Sequence, residues 1–187
     1  MRRIVRWHTV EGGGIEHLAL DLSADGIVAE GVVIGPVSGA LFGDEPFGCI
    51  YRLRCDPDWR VRELALRVGG GPSLALAADG EGRWTDGAGA PLPALDGCID
   101  VDLACSPFTN TLPIRRLGDA LRERQAIRVA FVDFPGLALK AWPQLYTRLD
   151  AGRYLFESPE HGFRAEIETD EDGLVLRYPG LFDRRGA

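Results

Sequence analysis

Apolar and polar residues alternate with a period of two along nearly the whole chain, and Asp-Gly and Gly-rich punctuation cuts the alternating runs. A side-chain period of two belongs to a β-strand, while Asp and Gly are the residues that turn a chain back sharply. The pattern predicts an antiparallel sheet built from successive hairpins. Strands are expected at residues 3–9, 15–23, 27–34, 47–55, 59–68, 73–78, 82–85, 98–103, 126–134, 139–149, 153–157, 163–169 and 174–178. One segment departs from this rhythm. Thr111 can cap, Pro113 suits a first helical turn, and Ile114, Leu117 and Leu121 form one stripe, so one short helix is expected near residues 113–123. Twist accumulates across so many strands and forbids a flat sheet. The expected fold is mainly β: a single curved antiparallel sheet of about 11–13 strands, closing into a half-barrel or incomplete barrel.

The chain has 187 residues, 45% of them apolar, which suits a single β-rich domain over residues 1–187. Its net charge of −7 argues against a nucleic-acid partner. No run approaches the ~20 apolar residues of a membrane-spanning helix, so an integral membrane protein is not expected. The first residues, Met1-Arg2-Arg3-Ile4-Val5-Arg6-Trp7-His8, lack the features of a secretory signal, and the expected compartment is the cytoplasm. The motifs H-E-x-x-H, G-x-S-x-G, the phosphate-binding Walker loop and G-x-G-x-x-G after a strand are all missing, and no cofactor is expected. Cys49, Cys55, Cys98 and Cys105 form no C-x-x-C pair and read as small apolar fillers. A loop at Glu11–Gly14 would set His8 opposite His17, with Glu16 on the other face. Two imidazoles without a third ligand do not make a metal site, and none is expected.

Pairing arithmetic assigns faces. A tight turn at Asp56–Asp58 would set Cys55 against Trp59, Arg54 against Arg60 and Arg52 against Arg62, gathering four guanidinium groups on one face. Opposed like charges need acids or an anion among them. Turns at Asp150–Gly152, Ser158–His161 and Asp170–Gly173 would collect Trp142, Tyr146, Tyr154, Phe156, Phe163, Ile167, Leu176 and Tyr178 on another face. Within that arrangement Phe156 opposes Phe163 and Ile167 opposes Leu176.

The most specific stretch is Gly97-Cys98-Ile99-Asp100-Val101-Asp102-Leu103-Ala104-Cys105-Ser106-Pro107-Phe108-Thr109-Asn110-Thr111-Leu112-Pro113-Ile114-Arg115-Arg116-Leu117. With Tyr51–Arg62, Asp79–Trp84 and Asp172–Gly180 in the same order, the chain resembles a bacterial family of glycolipid-binding proteins. The resemblance implies a curved antiparallel half-barrel, similar to the carriers that move bacterial lipoproteins between membranes. It supplies no agreed catalytic residues.

Each candidate feature has a functional and a structural reading. Asp100 and Asp102 share a strand face, either as paired acids in a pocket or as neutralisers of nearby arginines. The run Ser106–Thr111, with Thr109 and Asn110, either binds sugar hydroxyls or phosphate or satisfies the backbone of a corner. The arginines, among them Arg60, Arg62, Arg115 and Arg116, either hold an anionic head group or form a salt-bridged face. The expected activity is non-catalytic binding of an amphiphile, a glycolipid or other lipid. Its tail would lie against Trp142, Tyr146, Tyr154 and Phe156, and its head would face Arg115, Arg116, Asn110 and the Asp100/Asp102 pair. Two alternatives stand beside it. One is an enzyme using Asp100 or Asp102 with an arginine; the other is a scaffold or homo-oligomer that pairs through its sheet edges.

Overall fold

In the computed structural model residues 1–11, 13–36 and 45–186 are described. They form β1 (Arg2–Thr9), β2 (Ile15–Ser23), β3 (Gly26–Ile34), β4 (Gly48–Cys55), β5 (Val61–Val68), β6 (Ser73–Ala78) and β7 (Trp84–Asp86). After these come β8 (Asp100–Leu103), α1 (Thr111–Leu117), β9 (Gln125–Val132), β10 (Leu139–Asp150) and β11 (Arg153–Ser158). The chain ends with β12 (Phe163–Thr169), β13 (Val175–Tyr178) and β14 (Phe182–Arg184). All fourteen strands belong to one curved sheet, ordered β7-β6-β5-β4-β3-β2-β1-β14-β13-β12-β11-β10-β9-β8. The sheet stays open, although its two ends approach: the Gly97 N–H donates to the Gly82 carbonyl at 2.9 Å, and Trp84 Nε1 donates to the Cys98 carbonyl at 2.7 Å. Gly82 sits at φ +97, and a Cβ there would lie 2.9 Å from Gly97 Cα, so this approach requires glycine.

Neighbouring strands are antiparallel except β8 and β9, which run parallel and make the sheet mixed. The reason is the crossover between them, residues 104–124, which includes the helix. A 3-10 turn at Pro107–Asn110 leads directly into α1, and a second at Gly118–Arg122 follows it, so the helical region is longer and more broken than one helix over 113–123. The crossover does not lie on the surface. Ala104 through Ile114 are all buried, and so is Leu121. This internal segment fills much of the concave side and supplies Phe108, Leu112 and Ile114 to a core shared with Trp7, Leu18, Leu53, Leu64 and Val132.

The burial pattern follows the alternation. In β4, Cys49, Tyr51, Leu53 and Cys55 point inward while Ile50, Arg52 and Arg54 point outward. Several registers differ from the simple pairing. The turn after β4 is wider than three residues, because Asp56 N–H bonds the Arg60 carbonyl while Asp56 Oδ1 accepts from the backbone N–H groups of Asp58 and Arg60. Cys55 therefore pairs with Val61, Arg54 with Glu63 and Arg52 with Ala65, with a bulge between Arg54 and Cys55. The four-arginine face does not form, and Arg54 instead meets Glu63 at 3.2 Å. Ser158 pairs with Phe163 and Phe156 with Ala165, a shift of two that keeps the aromatic face. A bulge at Glu168/Thr169 pairs Thr169 with Val175, so Val175 is buried and Leu176 turns outward. His8 faces Ile15, and His17 faces Arg6, whose Nε–H donates to His17 Nδ1 at 3.2 Å. Gly12, within the loop used to pair the two histidines, lies outside the described residues.

Candidate functional site

A pocket of about 160 Å³ opens between the internal segment and the C-terminal strands. Its apolar wall is Phe131, Trp142, Phe156, Phe163, Tyr178 and Phe182, drawn from β9 through β14. The rings pack edge-on and tilted against one another: Phe156 lies 6.0 Å from Tyr178, and Tyr178 lies 6.4 Å from Phe182. These residues share a face because strand alternation brings them inward on adjacent strands. At one side of the pocket the Trp142 indole is covered by the His161 ring, stacked with centroids 4.7 Å apart, and by Lys140 Nζ, 3.9 Å from the centroid. Lys140 is the single lysine of the chain. Trp142 Nε1 donates to Ser158 Oγ at 2.9 Å, which fixes the indole plane.

The polar part comes from the internal segment and β10. Asp102, the last residue but one of β8, belongs to the pocket lining. Its Oδ2 accepts from Gln144 Nε2 at 2.6 Å and its Oδ1 from the Thr109 hydroxyl at 3.0 Å. Burial pushes the Asp102 carboxyl above its ordinary range, and those two hydrogen bonds pull it back. Thr109 also accepts from the Leu103 N–H at 3.2 Å, locking the corner onto β8. Asn110 Oδ1 accepts from the Tyr146 hydroxyl at 2.9 Å, and Asn110 Nδ2 donates to the Pro107 carbonyl at 3.2 Å. Ser106, the cap of the first 3-10 turn, completes this side of the lining.

The structure brings Asp102, Asn110, Trp142 and Phe156 together around this pocket. Thr109 stands behind Asp102, and Tyr146 stands behind Asn110. The other anticipated residues are elsewhere. Asp100 is fully buried and both its oxygens are held by Arg116. Arg115 lies over the Trp59 ring, 5.3 Å from its centroid. With Tyr154 it borders a separate depression of about 260 Å³ beside Arg148 and Gly152. Arg60 donates to the Gly80 carbonyl at 2.8 Å and Arg62 to the Asp79 carbonyl at 2.6 Å, so both tie one turn to another. Asp100 and Asp102 are separated in role because α1 presents Arg116 to the first and β10 presents Gln144 to the second.

Sequence reasoning took Ser106 as part of the run Ser106–Thr111 but passed over Gln144 and Lys140. Those two carry no motif, and their place follows only from the internal segment meeting β10. Glu16 was legible as the single acid among the inward positions of β2, alternating with Leu18 and Leu20. A second concavity, about 730 Å³, crosses the outward face of β2–β6 over Ala19, Val32, Ile50 and Ala65. Among the described residues no group of three or more His, Cys, Asp or Glu side chains is arranged to hold a metal, and no helix is long and apolar enough to cross a membrane.

Comparison with known proteins gives the relationship directly. A solved structure, the crystal structure of a DUF1089 family protein from Pseudomonas aeruginosa, shares 45% identity, covers 92% of each chain and superposes with a TM-score of 0.80. No curated protein matches. The family model described as "Putative glycolipid-binding" matches residues 4–184. A chain that this model matches across almost its whole length, and that forms the open curved sheet described above, belongs to that family.

Proposed function

We propose that the protein binds a glycolipid-type amphiphile and that the pocket at Asp102 receives one sugar ring of it. A half-buried carboxylate at an aromatic-walled pocket, hydrogen-bonded only to the neutral donors Gln144 and Thr109, carries this reading. An ionised carboxylate has about four acceptor positions, and two are filled here. Asn110 Nδ2 already donates to its own chain and Gln144 Nε2 to Asp102. Each amide keeps a second N–H, and Lys140 brings its ammonium, so the lining offers donors beside the open lone pairs of Asp102, which suits sugar hydroxyl groups that both donate and accept. The aromatic wall suits its apolar ring face. The pocket volume supports one ring rather than a long chain, since a cavity of about 150 Å³ takes a benzene molecule. The family's description points the same way.

Two measurements test this. Lipids extracted from the purified protein are identified by mass spectrometry, with a glycolipid expected. Octyl β-glucoside is titrated while Trp142 emission is followed; Asp102→Asn is expected to weaken binding about tenfold, the loss of one charge-assisted hydrogen bond. A protein that purifies empty and does not bind octyl glucoside would overturn the reading.

A further inference from the structure

A fully buried carboxylate without a basic partner among the described residues stands behind the pocket. Glu16 points inward from β2 and is 2% exposed. Across the ladder it faces Trp7 of β1 and Val33 of β3, and Phe182 of β14 lies at the same depth. The titratable groups facing it are Tyr51 of β4 and Cys105 of the internal segment, a free thiol that shares a hydrogen bond with the free thiol of Cys49 of β4. His8, the neighbour of Trp7, alternates to the other side of β1. Among the described residues no basic side chain pairs with Glu16. Its Oε1 accepts from the Tyr51 hydroxyl at 2.6 Å and the Ser106 hydroxyl at 2.8 Å, while the buried Oε2 has no partner. An unpaired buried carboxylate is costly and is not a device for stability. Burial pushes the Glu16 carboxyl up to about 7, although both hydroxyl bonds lower it.

Ser106 connects this group to the ligand site. The residue belongs to the pocket lining, and one lone pair of its hydroxyl takes the Phe108 N–H at 3.2 Å. With its proton given to Glu16, the hydroxyl has only a lone pair left for a guest. Hydrogen bonds to a charged acceptor are roughly twice as strong as neutral ones. Protonating Glu16 therefore loosens its hold, and the Ser106 proton can turn into the pocket.

We infer that Glu16 is a positioning residue for the ligand site: its charge state decides whether Ser106 meets the guest as acceptor or as donor, and ligand binding is thereby coupled to proton uptake. This rests on the reading of the pocket as the ligand site. The direction is fixed by two arguments. A neutral Glu16 frees the Ser106 hydroxyl to donate as well as accept, and a guest that excludes water disfavours the charged carboxylate further. Binding should tighten as the pH falls.

Octyl β-glucoside affinity is measured from pH 8 to pH 6 with the full chain. Wild type is expected to bind about three- to tenfold more tightly at pH 6. Glu16→Gln, which imitates the neutral acid, is expected to bind with a flat pH profile at the tighter level, and Ser106→Ala with a flat profile at the weaker level. A wild-type affinity that does not change with pH overturns the proposal while leaving the pocket reading intact, whereas no binding at any pH overturns both. A profile that persists in Glu16→Gln assigns the proton to another group and overturns it. Should Glu16→Gln not fold, ¹³C-carboxyl NMR of wild type reads the same coupling. Saturation with octyl glucoside should raise the Glu16 midpoint, and an unmoved midpoint overturns the proposal.

Discussion

Arg116 grips Asp100 through two parallel hydrogen bonds, Nε to Oδ1 at 3.0 Å and Nη2 to Oδ2 at 2.5 Å, with the carboxylate shut away from solvent. Burial pushes the Asp100 carboxyl up and the guanidinium pulls it back. The pair joins α1 to β8 and so fixes how the internal segment sits. Removing one partner leaves a buried charge, so Arg116→Met is expected to destabilise by roughly 3–5 kcal/mol. The double variant Asp100→Leu/Arg116→Met should recover most of that loss. Urea unfolding of the two variants checks both statements.

Stability should carry the imprint of Glu16. Its pKa is raised on folding, from 4.5 to about 7. The folded state thus binds the extra proton between those values, and stability falls as the pH rises through that window. The loss is on the order of 3 kcal/mol, with the stabilised condition below pH 4.5 with respect to this group alone. Glu16→Gln should remove this slope. Denaturant midpoints at pH 5, 6, 7 and 8 for both proteins decide it.

Gly31 makes room for Tyr51. A Cβ at position 31 would sit 2.1 Å from the Tyr51 ring, whose hydroxyl bonds Glu16. Gly31→Ala is expected to cost about 1–3 kcal/mol from overpacking. It should also pull Tyr51 from Glu16, visible as a changed Glu16 midpoint in ¹³C-carboxyl NMR.

Tyr146 is not part of the pocket lining, and on the proposed reading it acts through Asn110. Tyr146→Phe keeps the buried ring and removes one hydrogen bond at 2.9 Å. A loss of about 1 kcal/mol in unfolding free energy is expected. Octyl glucoside affinity should fall less than in Asp102→Asn.

The alternation along β4 and the Asp-Gly turns made the sheet legible, because each strand's inward set is written in its own residues. What alternation cannot show is where an extra residue enters a ladder. The bulges at Arg54/Cys55 and Glu168/Thr169 arise from hydrogen bonds of Asp56 and from the pairing of β13, and each moved a predicted neighbour. β14 escaped notice because three residues after Pro179-Gly180 are too few to show a period. For the site, Asp102, Asn110, Trp142 and Phe156 were readable as chemistry on a strand, a corner and an aromatic face. Their meeting at one pocket, and the diversion of Asp100, Arg115 and Tyr154 to other places, depends on how residues 104–124 fold back. No local pattern encodes that return.

That return has a consequence for capacity. The curved sheet is occupied by its own chain, from Ala104 to Ile114, before any guest arrives. On the proposed reading a fatty tail of ordinary length would find no vacancy there and would trail outside while the head is held. The molecule would then grip an amphiphile by one end and not swallow it whole.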